Sequence, residues 1–315
     1  MKYVFIVNPA SGQGKHGKGL VPDIEKLQKE FPDRDIKIYY TRGEKDATVL
    51  ADQIAKEEPG KVTIFACGGD GTVQEVVNGV YGHDNAIMAV VPVGSGNDFV
   101  RALGGGLKEG DKFRELASHL DAPTKKIDLI KMTWEENGEK KTFLVDNGIN
   151  IGFDGNTCIK AHELKRLPGI TGTGSYILGV AQCLVLKKGE DLKITVDGEL
   201  VHDGPLLLTT VANGGFCGGG FESCPRADLS DGLLEVLIVN DVSRTRFIAL
   251  VPKYKAGKIF EVDNEGGNLY KYYQAKNIVV EPNNGKMQFV ADGEIFETGR
   301  LEIDVVRDAI NVVYL

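Results

Sequence analysis

The chain has 315 residues, 42% hydrophobic and 26% charged, an ordinary globular mix with enough apolar material for two cores. A net charge of −8 excludes a global basic surface for nucleic acid or for an anionic bilayer. The apolar run Tyr3 to Val7 is too short for a signal peptide, and Ser175 to Leu186 is too short for a membrane span.

Tyr3 to Val7 reads as a strand buried in a parallel sheet. It runs into Asn8-Pro9-Ala10-Ser11-Gly12 and a glycine- and lysine-rich loop, and a helix follows from Val21 to Glu30. Gly12, Gly14 and Gly17 satisfy G-x-G-x-x-G, the dinucleotide pattern. Gly12 to Lys18 match most of a P-loop, but Gly19 stands where a Ser or Thr hydroxyl should bind magnesium. Neither template fits cleanly. What survives is a strand-to-helix loop suited to phosphate, with Lys15 and Lys18 placed to steady it. Asp35 to Tyr40 is the next strand and ends at Thr41-Arg42, where a small hydroxyl can line a nucleotide pocket. No acid closes that strand, which argues against a Rossmann dehydrogenase. Asp46 to Glu58 reads as a helix stopped by Pro59-Gly60.

A third strand, Val62 to Ala66, breaks into Gly68-Gly69-Asp70-Gly71-Thr72 and resumes as a helix with Val73, Val76, Val77 and Val80 at helical spacing. Glycines let the backbone approach a ligand, and the N–H groups opening the helix face phosphate. An acid in such a turn suits phosphate only with a cation between them. A plain tight turn is the simpler alternative; Asp70 and Thr72 together favour a nucleotide–metal corner. Ile87 to Val91 is another buried strand and closes with Pro92-Val93-Gly94-Ser95-Gly96-Asn97-Asp98-Phe99-Val100-Arg101. Ser95, Asn97 and Asp98 are also good turn formers and helix caps. Three such turns gather at the carboxyl edge of one sheet, where ligands bind in open α/β folds.

Lys112 to Leu120 reads as a helix and Asp121 to Thr124 as a linker. After it the pattern changes to strands, with Thr142 to Phe153, Pro205 to Asn213 and Lys286 to Ala291 among them. Helices interrupt only near Gly155–Lys165, Ser175–Lys187 and Val242–Ala256. This order predicts an α/β domain over residues 1–122 and a largely antiparallel domain over residues 123–315. Asp292-Gly293-Glu294 reads as a hairpin turn, and Ala227 to Leu233 as an acidic turn. The five cysteines, Cys67, Cys158, Cys183, Cys217 and Cys224, are odd in number and lack zinc-ribbon spacing, which predicts reduced thiols in a cytoplasmic protein.

Asn8-Pro9-x-Ser11-Gly12, Gly68-Gly69-Asp70-Gly71-Thr72 and Pro92-x-Gly94-Ser95-Gly96-Asn97-Asp98-Phe99-x-Arg101 follow the order and spacing of the diacylglycerol kinase catalytic family. The second domain agrees through Asn147-x-x-x-Ile151-Gly152-Phe153-Asp154, Ala227-x-Leu229-x-Asp231-Gly232-Leu233-Leu234 and Asp292-Gly293-Glu294. Nearly the whole chain resembles that family. The Gly68–Thr72 element is shared with NAD kinases and phosphofructokinase-like enzymes; Gly94-Ser95-Gly96-Asn97-Asp98 favours lipid kinases. No cysteine-rich C1-type module accompanies the core, so the likeness is to the stand-alone bacterial enzymes.

The resemblance implies a doubly wound, NAD kinase- and phosphofructokinase-like α/β domain, followed by a mainly antiparallel, β-sandwich-like domain carrying the acceptor pocket. It implies ATP-dependent transfer of the γ-phosphoryl group to a lipid hydroxyl, diacylglycerol giving phosphatidic acid. A sphingosine- or ceramide-type acceptor, an NAD kinase-type reaction and a non-catalytic nucleotide- or lipid-binding regulator stay open as alternatives. Asn8, Ser11, Gly12, Thr41, Gly68, Gly69, Gly71, Thr72, Ser95, Gly96 and Asn97 would hold the nucleotide. Asp70, on an exposed turn, would reach a catalytic magnesium through water. Asp231, with main-chain oxygens of Asp228 and Leu233, would hold a structural magnesium. One of Asp292 and Glu294 would be the general base, with Glu294 favoured for its longer reach and Asp292 orienting it. The implied partners are a lipid at a membrane surface and a second copy of the chain, with no nucleic acid. The implied location is the cytoplasm, transiently peripheral to the membrane.

Overall fold

The computed structural model describes residues 1–12, 19–94, 96–104, 113–153, 155–157, 159–160, 189–264 and 268–315. The expected helix Ser175–Lys187, and most of Gly155–Lys165, lie outside these residues. The contacts divide the chain into two units, Met1–Leu129 with Val306–Leu315, and Ile130–Val305.

The first unit is an α/β domain on a parallel sheet. Strands β1 (Lys2–Val7), β2 (Asp35–Tyr40), β3 (Val62–Gly68) and β4 (Ala86–Pro92) alternate with helices α1 (Val21–Glu30), α2 (Asp46–Glu57) and α3 (Asp70–Val80), and a short helix α4 (Asp98–Gly104) follows. Every residue of β3 and β4 is buried, as continuous apolar runs require when both faces of a sheet are covered. β1 lies between β2 and β3, with Val7 opposite both Tyr40 and Cys67, while Gly68 of β3 faces Pro92 of β4. The strands therefore end level. Their order reverses between β1 and β3, so the loops after those two strands diverge around a crevice.

Ile24 and Leu27 of α1 pack with Tyr3, Phe5 and Phe65, and the last two rings stack at 4.0 Å. Helices α2 and α3 touch closely: a Cβ on Gly79 would sit 2.5 Å from the Thr48 carbonyl oxygen. α2 has no side-chain cap from its own N-cap, Lys45. Instead Glu75 of α3 accepts the N–H groups of Lys45 and Ala47 at 2.9 and 3.0 Å, so one helix satisfies the other's exposed donors. The helix expected over Lys112–Leu120 is, in its described part, only a 3-10 turn at Leu116–His119. Phe113, Leu116 and His119 recur at every third residue, and a 3-10 turn places them on one buried face. Burial pushes the His119 imidazole below its ordinary pKa.

Strand β5 (Thr124–Glu136) leads into the second unit. There follow β6 (Glu139–Val145), β7 (Gly148–Gly152), β8 (Glu190–Val196), β9 (Glu199–Ala212), β10 (Leu234–Asn240), helix α5 (Arg244–Lys255), and then β11 (Tyr270–Ala275), β12 (Asn277–Pro282), β13 (Met287–Ala291), β14 (Glu294–Thr298) and β15 (Leu301–Val313). The pairs β5–β6, β7–β9 and β8–β9 are antiparallel. The result is a β-sandwich-like domain around Ile130, Val145, Ile149, Ile194, Phe289 and Leu301. Three of its hairpins turn on Asn137-Gly138, Asp197-Gly198 and Asp292-Gly293, each residue at positive φ. That is the turn chemistry matched to the twist of paired strands. The single strand expected over Thr142–Phe153 is two strands, because the chain turns at Asp146-Asn147. Leu301–Val313 form one long strand, β15. Its first residues pair with β12, and Asn311 and Val312 pair in parallel with β4, completing the first unit's sheet.

Glu235 of β10 is buried, with Oε1 accepting from Gln274 Nε2 at 2.9 Å. Burial raises its pKa, against the hydrogen bonds from Gln274 and Tyr272. A carboxyl whose folded pKa lies above its unfolded value favours folding most below the unfolded value. That contribution fades as pH rises through the folded one. Glu235→Gln is therefore expected to raise Tm at neutral pH and to flatten this descent in melting curves taken from mildly acidic to neutral pH. A variant that melts lower at neutral pH would show that the charged form is the stabilising one.

Candidate active site

The turn after β3 and the turn after β4 lie backbone against backbone. A Cβ on Gly94 would stand 2.5 Å from the Gly69 Cα and 3.0 Å from Asn97 Oδ1. On Gly68, a Cβ would run into the Thr72 side chain. Glycine is required at both places because neighbouring backbone or the start of the helix fills the space a side chain would need. Gly94→Ala is expected to force the two turns apart, at a cost of about 1–3 kcal/mol. It should lower Tm and weaken binding of a fluorescent ATP analogue together. An unchanged Tm with full binding would mean that the turns separate freely.

Asp70 joins the same two turns. Its Oδ2 accepts the Asn97 N–H at 2.8 Å and its Oδ1 accepts the Asp98 N–H at 2.7 Å, capping α4 from outside that helix. Burial raises the Asp70 pKa, and the backbone N–H groups that it accepts oppose the rise. The exposed turn expected for Asp70 is thus corrected: the residue is half-buried, and a Cβ on Gly96 would press against its carboxylate. Asn97 is also structurally engaged. At φ +54°, its amide donates to the Gly94 carbonyl at 3.0 Å and accepts the Gly94 N–H at 3.2 Å. Asp98, also buried, has its Oδ1 3.6 Å from Arg101 Nε.

On the other side of the crevice, Asn8 Nδ2 donates to Thr72 Oγ1 at 3.1 Å, and Asn8 Oδ1 accepts the Ala10 N–H at 3.0 Å. The Ser11 N–H reaches the Asn8 carbonyl at 3.2 Å, and Gly12 follows at φ +61°. The Thr41 N–H donates to the Val7 carbonyl at 3.0 Å, which holds the end of β2 level with β1. Helix α3 begins on Gly69 without a side-chain cap, and a Cβ on Gly71 would meet nothing within 4 Å. An anion can therefore approach the open helix start. Asn8, Ser11, Gly12, Thr41, Gly68, Gly69, Asp70, Gly71, Thr72, Gly96 and Asn97 all belong to this one edge; Ser95, Lys15 and Lys18 lie outside the described residues. In the sequence Gly94 is only one position of a motif; in the structure it permits the close approach.

The second unit separates Asp292 from Glu294. Asp292 Oδ2 accepts the Asp146 N–H at 2.7 Å, and Oδ1 accepts those of Gly148 at 3.0 Å and Asn147 at 3.2 Å. This carboxylate makes the turn that divides β6 from β7. Burial raises its pKa, and hydrogen bonds from Asp146, Asn147 and Gly148 oppose the rise. Glu294 opens β14 opposite Ala291 and is exposed, with no hydrogen bond or ion pair among the described residues. In the acidic turn, Asp228 Oδ1 accepts the Ser230 N–H and hydroxyl at 2.9 and 2.8 Å, and Asp231 Oδ1 accepts the Leu233 N–H at 2.9 Å. Among the described residues there is no cluster of three or more His, Cys, Asp or Glu suited to a metal. The donors of both metal candidates are oxygens, few in number. That suits magnesium, a hard ion that keeps several of its own waters, and does not suit a softer metal held entirely by side chains.

Residues 2–132 match the family model of the diacylglycerol kinase catalytic domain, and residues 147–314 match that of the YegS C-terminal NAD kinase beta sandwich-like domain. The chain is 29% identical over 294 residues to a diacylglycerol kinase of Bacillus subtilis (strain 168), covering 92% of this chain and 88% of that protein. It is 28% identical over 314 residues to a diacylglycerol kinase of Mycobacterium tuberculosis (strain ATCC 25618 / H37Rv), covering 99% and 94%. A crystal structure of a diacylglycerol kinase from Bacillus anthracis str. Sterne superposes with a TM-score of 0.70 at 25% identity, over 100% of this chain and 97% of that one.

Proposed function

Because the chain belongs to the diacylglycerol kinase catalytic family, we propose that it is an ATP-dependent lipid kinase that phosphorylates the free hydroxyl of diacylglycerol to give phosphatidic acid. The observation that carries this reading is the junction of the β3 and β4 turns, braced by Asp70 beside the open start of α3. Phosphoryl transfer asks a protein chiefly for positioning and for charge stabilisation, and a braced backbone cradle supplies the first.

In this reading the β3 turn and the start of α3 hold the phosphates through backbone N–H groups, while Asn8 and Thr72 fix the neighbouring β1 loop. Thr41, Ser11 and Gly12 line the nucleotide side. Asp70 has oxygen lone pairs beyond the two hydrogen bonds, through which it would hold magnesium by way of water. Asp231, with main-chain oxygens of Asp228 and Leu233, would hold a second, structural ion. Bound magnesium supplies positive charge between the phosphate oxygens. Glu294 takes the proton of the acceptor hydroxyl as that oxygen bonds to the γ-phosphorus and the bond to the ADP oxygen breaks. Asp292 fixes the hairpin from which Glu294 projects. Attachment to a bilayer surface and assembly as a homodimer belong to the same proposal. Among the described residues, no helix is long and apolar enough to cross a membrane.

The test is transfer from radiolabelled ATP, with and without magnesium, to diacylglycerol, sphingosine and ceramide in neutral detergent micelles and to NAD in free solution. Magnesium-dependent labelling of diacylglycerol above the other acceptors is the expected result. Labelling of NAD alone would replace the reading with a soluble-acceptor kinase. Labelling of nothing would leave a nucleotide- or lipid-binding regulator.

A further inference from the structure

An acidic chain that acts on a lipid must meet a surface that repels it, unless it presents a local region of opposite charge. From Val242 to Phe260 the sequence holds Arg244, Arg246, Lys253, Lys255 and Lys258 and no acid, although acids outnumber bases 45 to 37 in the whole chain. This run contains α5. Phe247, Leu250 and Tyr254, at helical spacing, are buried, and Phe247 and Tyr254 pack into a core with Phe153, Leu207 and Leu237. The opposite face is exposed: Ile248 at 55%, with Ala249, Pro252, Lys253 and Lys255 around it.

We propose that α5 is the face by which the protein docks on an anionic phospholipid bilayer, with Ile248 entering the interface and the lysines meeting the headgroups. The proposal rests on the lipid-kinase reading for its choice of partner. Two further features favour a bilayer. Between the cations stand Ile248, Ala249 and Pro252, which offer apolar surface and no hydrogen-bonding groups to read a polar partner. Of the nearby acids, Glu261 lies 3.4 Å from Lys258, and the Glu222 carboxyl stands where a Cβ on Gly257 would meet it, with burial raising its pKa. Lys255 lies over the Phe221 ring at 5.3 Å, and among the described residues Lys253 Nζ reaches only a main-chain oxygen, that of Glu261, at 3.4 Å. Their charge is therefore left for an outside anion.

The experiment is co-sedimentation of the full chain with phosphatidylcholine vesicles, with and without phosphatidylglycerol, at low and high salt. Transfer to diacylglycerol in neutral detergent micelles is measured alongside. The expected result is salt-sensitive binding that needs phosphatidylglycerol. Lys253→Ser/Lys255→Ser should weaken it by roughly thirtyfold, as the loss of two surface cations implies. Ile248→Asp, which touches no core, should also weaken it, while Lys26→Ser/Lys29→Ser on α1 should not. Both α5 variants should keep the wild-type Tm and micellar activity. If the wild type ignores anionic vesicles, or if both α5 variants bind them as the wild type does, the docking proposal is overturned even where the micellar assay shows kinase activity. Salt-sensitive vesicle binding lost in both α5 variants, with no transfer to any lipid, upholds docking and overturns the kinase reading instead.

Discussion

Replacing Glu294 by Gln is expected to lower kcat by about a hundredfold or more, with KM for ATP little changed and Tm unmoved. A primary alcohol is a very weak acid. A carboxylate assists its attack on phosphorus only by accepting the proton as the new bond forms, and a carboxamide cannot. The stability half of the prediction comes from the structure, since Glu294 is exposed and free of hydrogen bonds and ion pairs among the described residues. Asp292 gives the contrast. Its carboxylate holds the N–H groups of Asp146, Asn147 and Gly148, so Asp292→Ala should leave three donors to find other partners and should lower Tm as well as activity. Single-turnover rates with pre-bound ATP, read beside melting curves, separate the two roles. A Glu294→Gln enzyme that turns over normally would exclude this residue as the base.

Asp70→Asn is expected to remove almost all activity and also to destabilise the first unit, by about 1–3 kcal/mol. An amide keeps one acceptor oxygen where the carboxylate has two, so its NH2 group would face the N–H of either Asn97 or Asp98. The turn after β4 would loosen from the turn after β3, and the proposed ATP cradle would lose both its brace and its negative charge. Rescue separates these effects. If saturating ATP restores Tm but not turnover, the charge serves the reaction directly; if it restores both, Asp70 acts through the shape of the loop. A variant with normal Tm and normal magnesium-dependent turnover would overturn both roles.

The α/β half was legible because its signals are local. Continuous apolar strands ending in glycine turns dictate a buried parallel sheet, and level strand ends then gather Asn8, Thr41, Asp70 and Asn97 at one edge. What the sequence hid was which polar groups are free. Asp70, Asn97 and Asp292 have the composition of ligands, but each is held by backbone from a segment distant or adjacent in the chain, and no periodicity reports that. The same long-range bonding explains the divided strand at Asp146-Asn147, whose turn exists because a carboxylate far along the chain receives its N–H groups. The short 3-10 turn at Leu116–His119 resembles a helix in sequence because apolar spacings of three and four are hard to tell apart over so few residues.

The return of β15 beside β4 has a consequence for how the molecule is made. Asn311 and Val312 pair with Ile87 and Met88, so the edge of β4 has no neighbour on that side until those late residues have left the ribosome. During synthesis the first unit therefore exists as an incomplete sheet with an unpaired, wholly buried-type strand, the kind of edge that recruits other chains. Completion of the sheet at β4 waits on translation of Asn311 and Val312, and nascent chains stalled before Asn311 are the species on which chaperones should be found.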